Sequence, residues 1–322
     1  MLQQTSTLSD IVTRLDTPAQ KWPSLVMLVG TGGDAPLMGE VISRNRRRNR
    51  CGAQHSVHLE LDTATAFSDH PLLIAHGSIV KQIKLDVEAA TALCHDSTVC
   101  SLQWPVASPA EALNALYCRL IHPFSDVICL FASERQGMHG VAACLESWFR
   151  LGAAWTWSAT RPRLLVVAAS TETRSPEVVQ VQLTKLLADG SVHSHTNFFS
   201  AISIFVKQSS SQTLRDRIRR ETDIGRNIRM QHHTLLNAVH LGLLFRRACE
   251  HFSGSAQEPF NLIAASRLHR PVSSSLATHM ADLLTHVESY QDLNTYVVPL
   301  MAESLVLDNY TYEVHGRSNL SV

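Results

Sequence analysis

Long apolar runs are missing from this chain. The longest, such as Leu235 to Phe245, fall well short of the roughly 20 residues a helix needs to cross a bilayer, so no membrane span is expected. The N-terminal stretch MLQQTSTLSDIVTRLDTPAQKWP has neither a basic start nor an apolar h-region, which argues against a secretory signal. An excess of charge of either sign is missing too, since 28 Lys plus Arg balance 28 Asp plus Glu. A chain without net charge has no overall attraction to phosphate backbones or anionic membranes. Nucleic acid is therefore not an expected partner, and anion binding would have to come from a local patch. CxxC pairs are absent as well. The seven cysteines, at 51, 94, 100, 118, 129, 144 and 249, are odd in number and scattered, so they read as reduced thiols and not as a disulfide framework. Together these absences point to a cytoplasmic protein.

What is present suffices for a full core. The chain has 322 residues, 45% hydrophobic and 17% charged, which excludes disorder as its main state and allows one large domain or two ordinary ones. Residues 1–22 read as a short amphipathic helix with Ile11, Val12 and Leu15 on one side. Buried strands are expected at Ser24 to Val29, Pro71 to Ala75, Asp126 to Phe131, Arg163 to Ala169 and Ile202 to Val206. The alternation of Val57, Leu59 and Leu61 with His58 and Glu60 predicts a strand covered on one face. Helical patterns at 109–120, 140–151 and 177–188 separate the later strands. The fold class is thus α/β with a mostly parallel sheet. From Thr213 onward the periodicity is helical only. It predicts one long helix over 213–252 with Leu235, Val239, Leu243 and Leu244 along one stripe, then shorter helices near 258–266, 273–289 and 293–307. The polar run Gln208 to Gln212 divides an α/β domain at 1–207 from a helical domain at 208–322.

The first buried strand runs into Gly30-Thr31-Gly32-Gly33-Asp34-Ala35-Pro36-Leu37, the place of a phosphate-binding loop. Such a loop has the form GxxxxGK[ST]: backbone amides cradle phosphates, the lysine reaches the β/γ oxygens and the hydroxyl holds magnesium. Here no lysine and no metal-position hydroxyl follow. Asp34 puts negative charge where a phosphate would sit, and Pro36 removes an amide donor. Gly30, Thr31, Gly32 and Gly33 remain as a vestigial nucleotide-binding turn.

Several segments, in collinear order over nearly the whole chain, resemble the GTPase-like N-terminal region of fungal multidomain proteins, many of which carry a patatin-like phospholipase domain downstream. The family's SLVSFIG strand leading into TGAGKSTL is similar to Ser24 to Gly30 and the turn after it. Its DVHLY and PILxAD strands are similar to Ser56 to Glu60 and Pro71 to His76, and its LYPRLLYTFSDVV to Leu116 to Ile128. Its EPFDFIRASR and LLDNYP segments are similar to Glu258 to Arg267 and Val306 to Tyr310. The resemblance implies a P-loop NTPase-like sheet followed by an all-α region, with His76 at the Walker B position. It also marks what is lost: the Walker A lysine and hydroxyl, the Walker B aspartate and, at Ala168-Ala169-Ser170, a side chain to read guanine. The implied function is a non-catalytic pseudo-GTPase-like scaffold or interaction module without a cofactor and with a protein partner. The alternative is a nucleotide- or phosphate-binding regulatory half of a patatin-like phospholipase protein, with GTP or GDP as ligand. No GxSxG nucleophile turn occurs, so the chain is not read as the lipase itself; it reads as the front half standing alone or as a truncated product.

Arg44, Arg46, Arg47, Arg48 and Arg50 put five arginines into seven residues, which reads as a solvated loop where GTPases carry their first switch. The other readings of this patch are nuclear import and contact with an anionic partner. His232, His233 and His240, and the looser set Cys94, His95, Cys100, Cys118 and His122, do not have the spacing of a metal site. Trp148, Trp155 and Trp157 around Gly152 read as a helix end packed under a loop.

Overall fold

The computed structural model describes residues 2–5, 7–30, 38–42, 57–78, 97–100, 102–105, 108–132, 137–152, 160–169, 176–190, 198–207, 213–255, 258–266 and 275–309. In chain order these form β1 (Leu2–Thr5), α1 (Thr7–Arg14), a 3-10 turn (Pro18–Gln20), β2 (Ser24–Gly30), α2 (Met38–Val41), β3 (His58–Leu61), β4 (Leu72–Ser78) and β5 (Ser97–Cys100). Next come α3 (Pro109–Ala115), which runs on through a π-helical turn at Leu116–Ile121, then β6 (Val127–Phe131), α4 (Gly137–Leu151), β7 (Arg163–Ala169), α5 (Pro176–Gly190) and β8 (Ala201–Lys207). Two long helices follow, α6 (Leu214–Gln231) and α7 (Ala238–Gly254). The remainder is α8 (Leu262–Ser266), α9 (Leu276–Thr285), α10 (Tyr290–Asp292), a π-helical turn (Leu293–Val297) and α11 (Val298–Asn309).

The molecule is α/β, built on a six-stranded sheet in the order β3-β4-β2-β6-β7-β8. Every neighbouring pair is parallel except β3 with β4. β2 reads as an unbroken apolar run because it lies between β4 and β6 and all seven of its residues are buried. Along β3, by contrast, each residue is half-buried, as suits the sheet's edge. Alternate residues build one face: Val26, Leu28, Ile74, Cys129, Leu165 and Val167 pack with Leu214 and Ile218 of α6, with Val41 of α2 and with Ile42 just after it. Their neighbours Met27, Ile128, Leu130, Leu164 and Val166 point to the opposite face and are equally buried, so both faces are covered. α4 and α5 lie on the crossovers to β7 and β8 and pack against those strands and each other. A separate antiparallel pair, β1 with β5, joins Leu2 opposite Cys100; neither strand carries a periodic signal.

The long helix expected over 213–252 is two helices. α6 starts at a capping box, in which Asp216 N–H donates to Thr213 Oγ1 (3.2 Å) and Thr213 N–H donates to Asp216 Oδ2 (3.3 Å). It ends at His232, and the left-handed φ of 54° at His233 turns the chain away. α7 starts afresh at Asn237, whose Oδ1 accepts from His240 N–H at 2.8 Å. The expected stripe also narrows: Leu244 is buried with Leu241 and Ala248, whereas Leu243 is 54% exposed. The chain divides into two compact units, Met1–Asn261 and Leu262–Val322, where composition put the helical domain at 208–322. α6 belongs with the sheet because its buried stripe forms part of the sheet's core. Among the described residues no helix is long and apolar enough to cross a membrane.

Candidate functional site

The connections that leave β2 and β6 diverge. β2 leads toward β3 and β4 on one side of the sheet, and β6 leads toward β7 on the other. In open α/β sheets ligands bind in the crevice outside the carboxyl ends at such a switch point. Gly30, the last residue of β2, is at that crevice, in register with Ser78 of β4 and Phe131 of β6. Thr31, Gly32 and Gly33 lie outside the described residues, as do Arg44, Arg46, Arg47, Arg48 and Arg50.

His76 stands two residues before the end of β4, opposite Leu28 of β2 and His58 of β3. It is 1% exposed, and its Nε2–H donates to Glu60 Oε1 at 3.1 Å. Because β3 is antiparallel to β4 and the strand period is two, His58 and Glu60 share the face of His76. The His58 ring stacks on the His76 ring with centroids 5.3 Å apart. An aspartate here would offer oxygens to a cation or its water, whereas the Nε2–H of His76 is a donor already engaged by a carboxylate. Among the described residues no group of three His, Cys, Asp or Glu side chains is arranged to hold a metal ion. Sequence reading singled out His76 but missed Glu60 and His58. Their alternation along β3 was visible; the register that brings them to His76 was not.

The remaining candidates fall apart in space or serve the core. His232 caps α6, His233 is in the break and His240 is in the first turn of α7, so the three do not share one helix. His122 is buried, with Nε2–H donating to Phe198 O at 3.1 Å and its ring against Phe198 and Phe199. Burial pushes its pKa down to about 4; the Phe198 carbonyl works against this, and the charges of Arg229 and Arg161 add to it. Cys118 sits 3.8 Å from Trp148 O and 3.7 Å from Gly152 O, and burial pushes its thiol up to about 12, which removes it as a nucleophile. Cys94 and His95 lie outside the described residues. Trp148 is fully buried, its indole N–H donating to Asn114 Oδ1 at 3.1 Å, while Gly152 at φ 82° ends α4; Trp155 and Trp157 are outside the described residues. No protein-family model matches the chain, and no curated protein matches it either.

Proposed function

We propose that the α/β part of this protein is a GTPase-like frame that has given up phosphoryl chemistry and serves as a scaffold or regulatory interaction module for a protein partner. The observation that carries this reading is His76. At the position that resembles Walker B, a buried imidazole donates to Glu60 where a magnesium-handling carboxylate would be needed. The missing lysine and hydroxyl after Gly30 support the same reading. Purified protein should hydrolyse neither GTP nor ATP above a blank in the presence of magnesium. Turnover that a Gly33→Asp change abolishes would overturn the proposal.

A second reading keeps ligand binding without catalysis: the turn at Gly30 to Gly33 binds GTP, GDP or another phosphorylated ligand through its backbone, as the regulatory half of a patatin-like phospholipase protein. The position of Gly30 at the switch point favours it. Scanning fluorimetry with GTP, GDP, ATP and ADP, each with magnesium, separates the two readings. A nucleotide that binds the native state at 100 times its Kd stabilises by about 2.7 kcal/mol. A flat melting temperature across millimolar nucleotide would eliminate this second reading.

A further inference from the structure

Three ionisable side chains fasten β3 to the sheet. His58 of β3 is in direct register with His76 of β4, and Glu60 stands two residues further along β3 on the same face. The His58 and His76 rings stack with centroids 5.3 Å apart and planes inclined by 26°. His76 Nε2–H donates to Glu60 Oε1 at 3.1 Å. Exposure falls across the cluster: the Glu60 side chain is 35% exposed, His58 is half-buried, and the His76 side chain is 2% exposed. Charged groups from the neighbouring elements are engaged elsewhere. Asp62, just past β3, is held by Arg215 of α6 at 3.3 Å, Glu40 of α2 pairs with Lys207 of β8, and Glu221 of α6 pairs with Arg217 at 2.8 Å. α1, which also touches β3, carries Asp10 and Arg14.

Counting charge shows what protons do here. With both imidazoles neutral, the cluster carries the single negative charge of Glu60. One added proton makes it neutral, converts the bond to Glu60 into a charge-assisted one and sets an imidazolium against an imidazole ring. A second proton makes the cluster positive and opposes two like charges across the strand pair. Net charge beside the dry His76 is costly at either extreme, so the one-proton form holds the strands together most firmly. β3 is at the edge of the sheet with β4 as its neighbour, so it depends on this pairing more than an interior strand does. We propose that Glu60, His58 and His76 form a one-proton clasp, which grips β3 hardest between neutral and mildly acidic pH and releases it on further acidification. Release uncovers the outer edge of β4, whose main-chain groups can then pair with a strand of a partner. The clasp is independent of whether the crevice at Gly30 binds a nucleotide.

Amide hydrogen exchange on the full chain tests this, read as protection factors so that the intrinsic pH dependence of exchange is removed. Amides of β6, an interior strand, report opening of the whole sheet in the same sample. From about pH 8 to about pH 6.5, where an ordinary histidine is half protonated, β3 protection relative to β6 should rise by a factor of about three or more. By about pH 5, with a second proton taken up, it should have fallen again. His58→Gln leaves one imidazole in the cluster and should keep the rise but lose the fall. Glu60→Gln should lose the rise, so that protection only falls with acidification. Relative β3 protection that is flat or monotonic across this range, or absent at every pH, would overturn the proposal. A maximum that persists in Glu60→Gln would do the same. The curve of the natural protein needs no variant, so a mutant that fails to fold cannot shield the proposal.

Discussion

His122 is a histidine that folding converts into a weak base. Its Nε2–H is committed to the Phe198 carbonyl and its ring is enclosed by Phe198 and Phe199, so a proton would have to be taken up in a dry site near Arg229 and Arg161. The folded-state pKa of about 4 lies below the ordinary value of 6.5, so the unfolded chain binds more protons between those limits. Stability from this residue is therefore fully present above pH 6.5 and is lost as pH falls toward 4. The total is roughly 3 kcal/mol at 1.36 kcal/mol per unit. His122→Gln keeps an N–H for Phe198 but does not titrate. Urea midpoints at pH 7, 5.5 and 4.5 should drop less steeply for this variant than for the natural protein, and parallel curves would contradict the assignment. At the same scale His76 was legible as a position and illegible as an interaction. Which side chain it meets depends on the antiparallel register of β3, and no local pattern in the chain encodes that register.

α6 shows what an element can hide from a periodicity reading. Its buried stripe runs Leu214, Ile218, Glu221, Thr222, Gly225, Arg229, correct in spacing but largely polar in content. Burial alone would raise the Glu221 carboxyl, yet Arg163 (2.6 Å), Ser203 (3.0 Å) and Arg217 (2.8 Å) hold it below the usual carboxylate range. Near the other end Arg229 Nε lies 2.8 Å from Asp126 Oδ1 and its guanidinium also donates to Ser125 O and Thr160 O, so the helix is pinned to the start of β6. Arg229→Met would strand Asp126 as a buried charge and should cost about 3 to 5 kcal/mol. Thermal melts should show a fall of roughly 6 to 20 °C for a domain of this size. Adding Asp126→Asn, which can still accept from Leu25 N–H, should recover part of the loss; no recovery would mean that Asp126 is not the source of the cost. The break before α7 was missed because it contains no glycine or proline, although Asn237 was a readable start signal. Proline acts elsewhere: both π-helical turns, Leu116–Ile121 and Val297's turn at Leu293–Val297, end two residues before one, at Pro123 and Pro299. Widening the coil there relieves the clash between the proline ring and the carbonyl four residues back.

Across the whole molecule, the sheet was the most legible part. Strands buried on both faces must be continuously apolar, so β2, β4, β6 and β7 announce themselves, and the half-buried edge strand β8 does so through its apolar run; the four-residue β1 and β5, which among the described residues pair only with each other, do not. The polar run at 208–212 looked like a boundary because composition changes there, but cohesion follows burial, and the buried stripe of α6 keeps the chain on the sheet well beyond it. Chain order carries a last consequence for how the protein is made. β2 leaves the ribosome ahead of both its neighbours, one of which ends at Ser78 and the other at Phe131, some hundred residues behind it. At about 5 to 20 residues per second of synthesis, Ser24–Gly30 waits on the order of 5 to 20 s with at least one edge unpaired. The nascent segment SLVMLVG is thus an apolar strand without a neighbour during that interval, a binding site for holding chaperones and a nucleus for aggregation whenever translation stalls before β6.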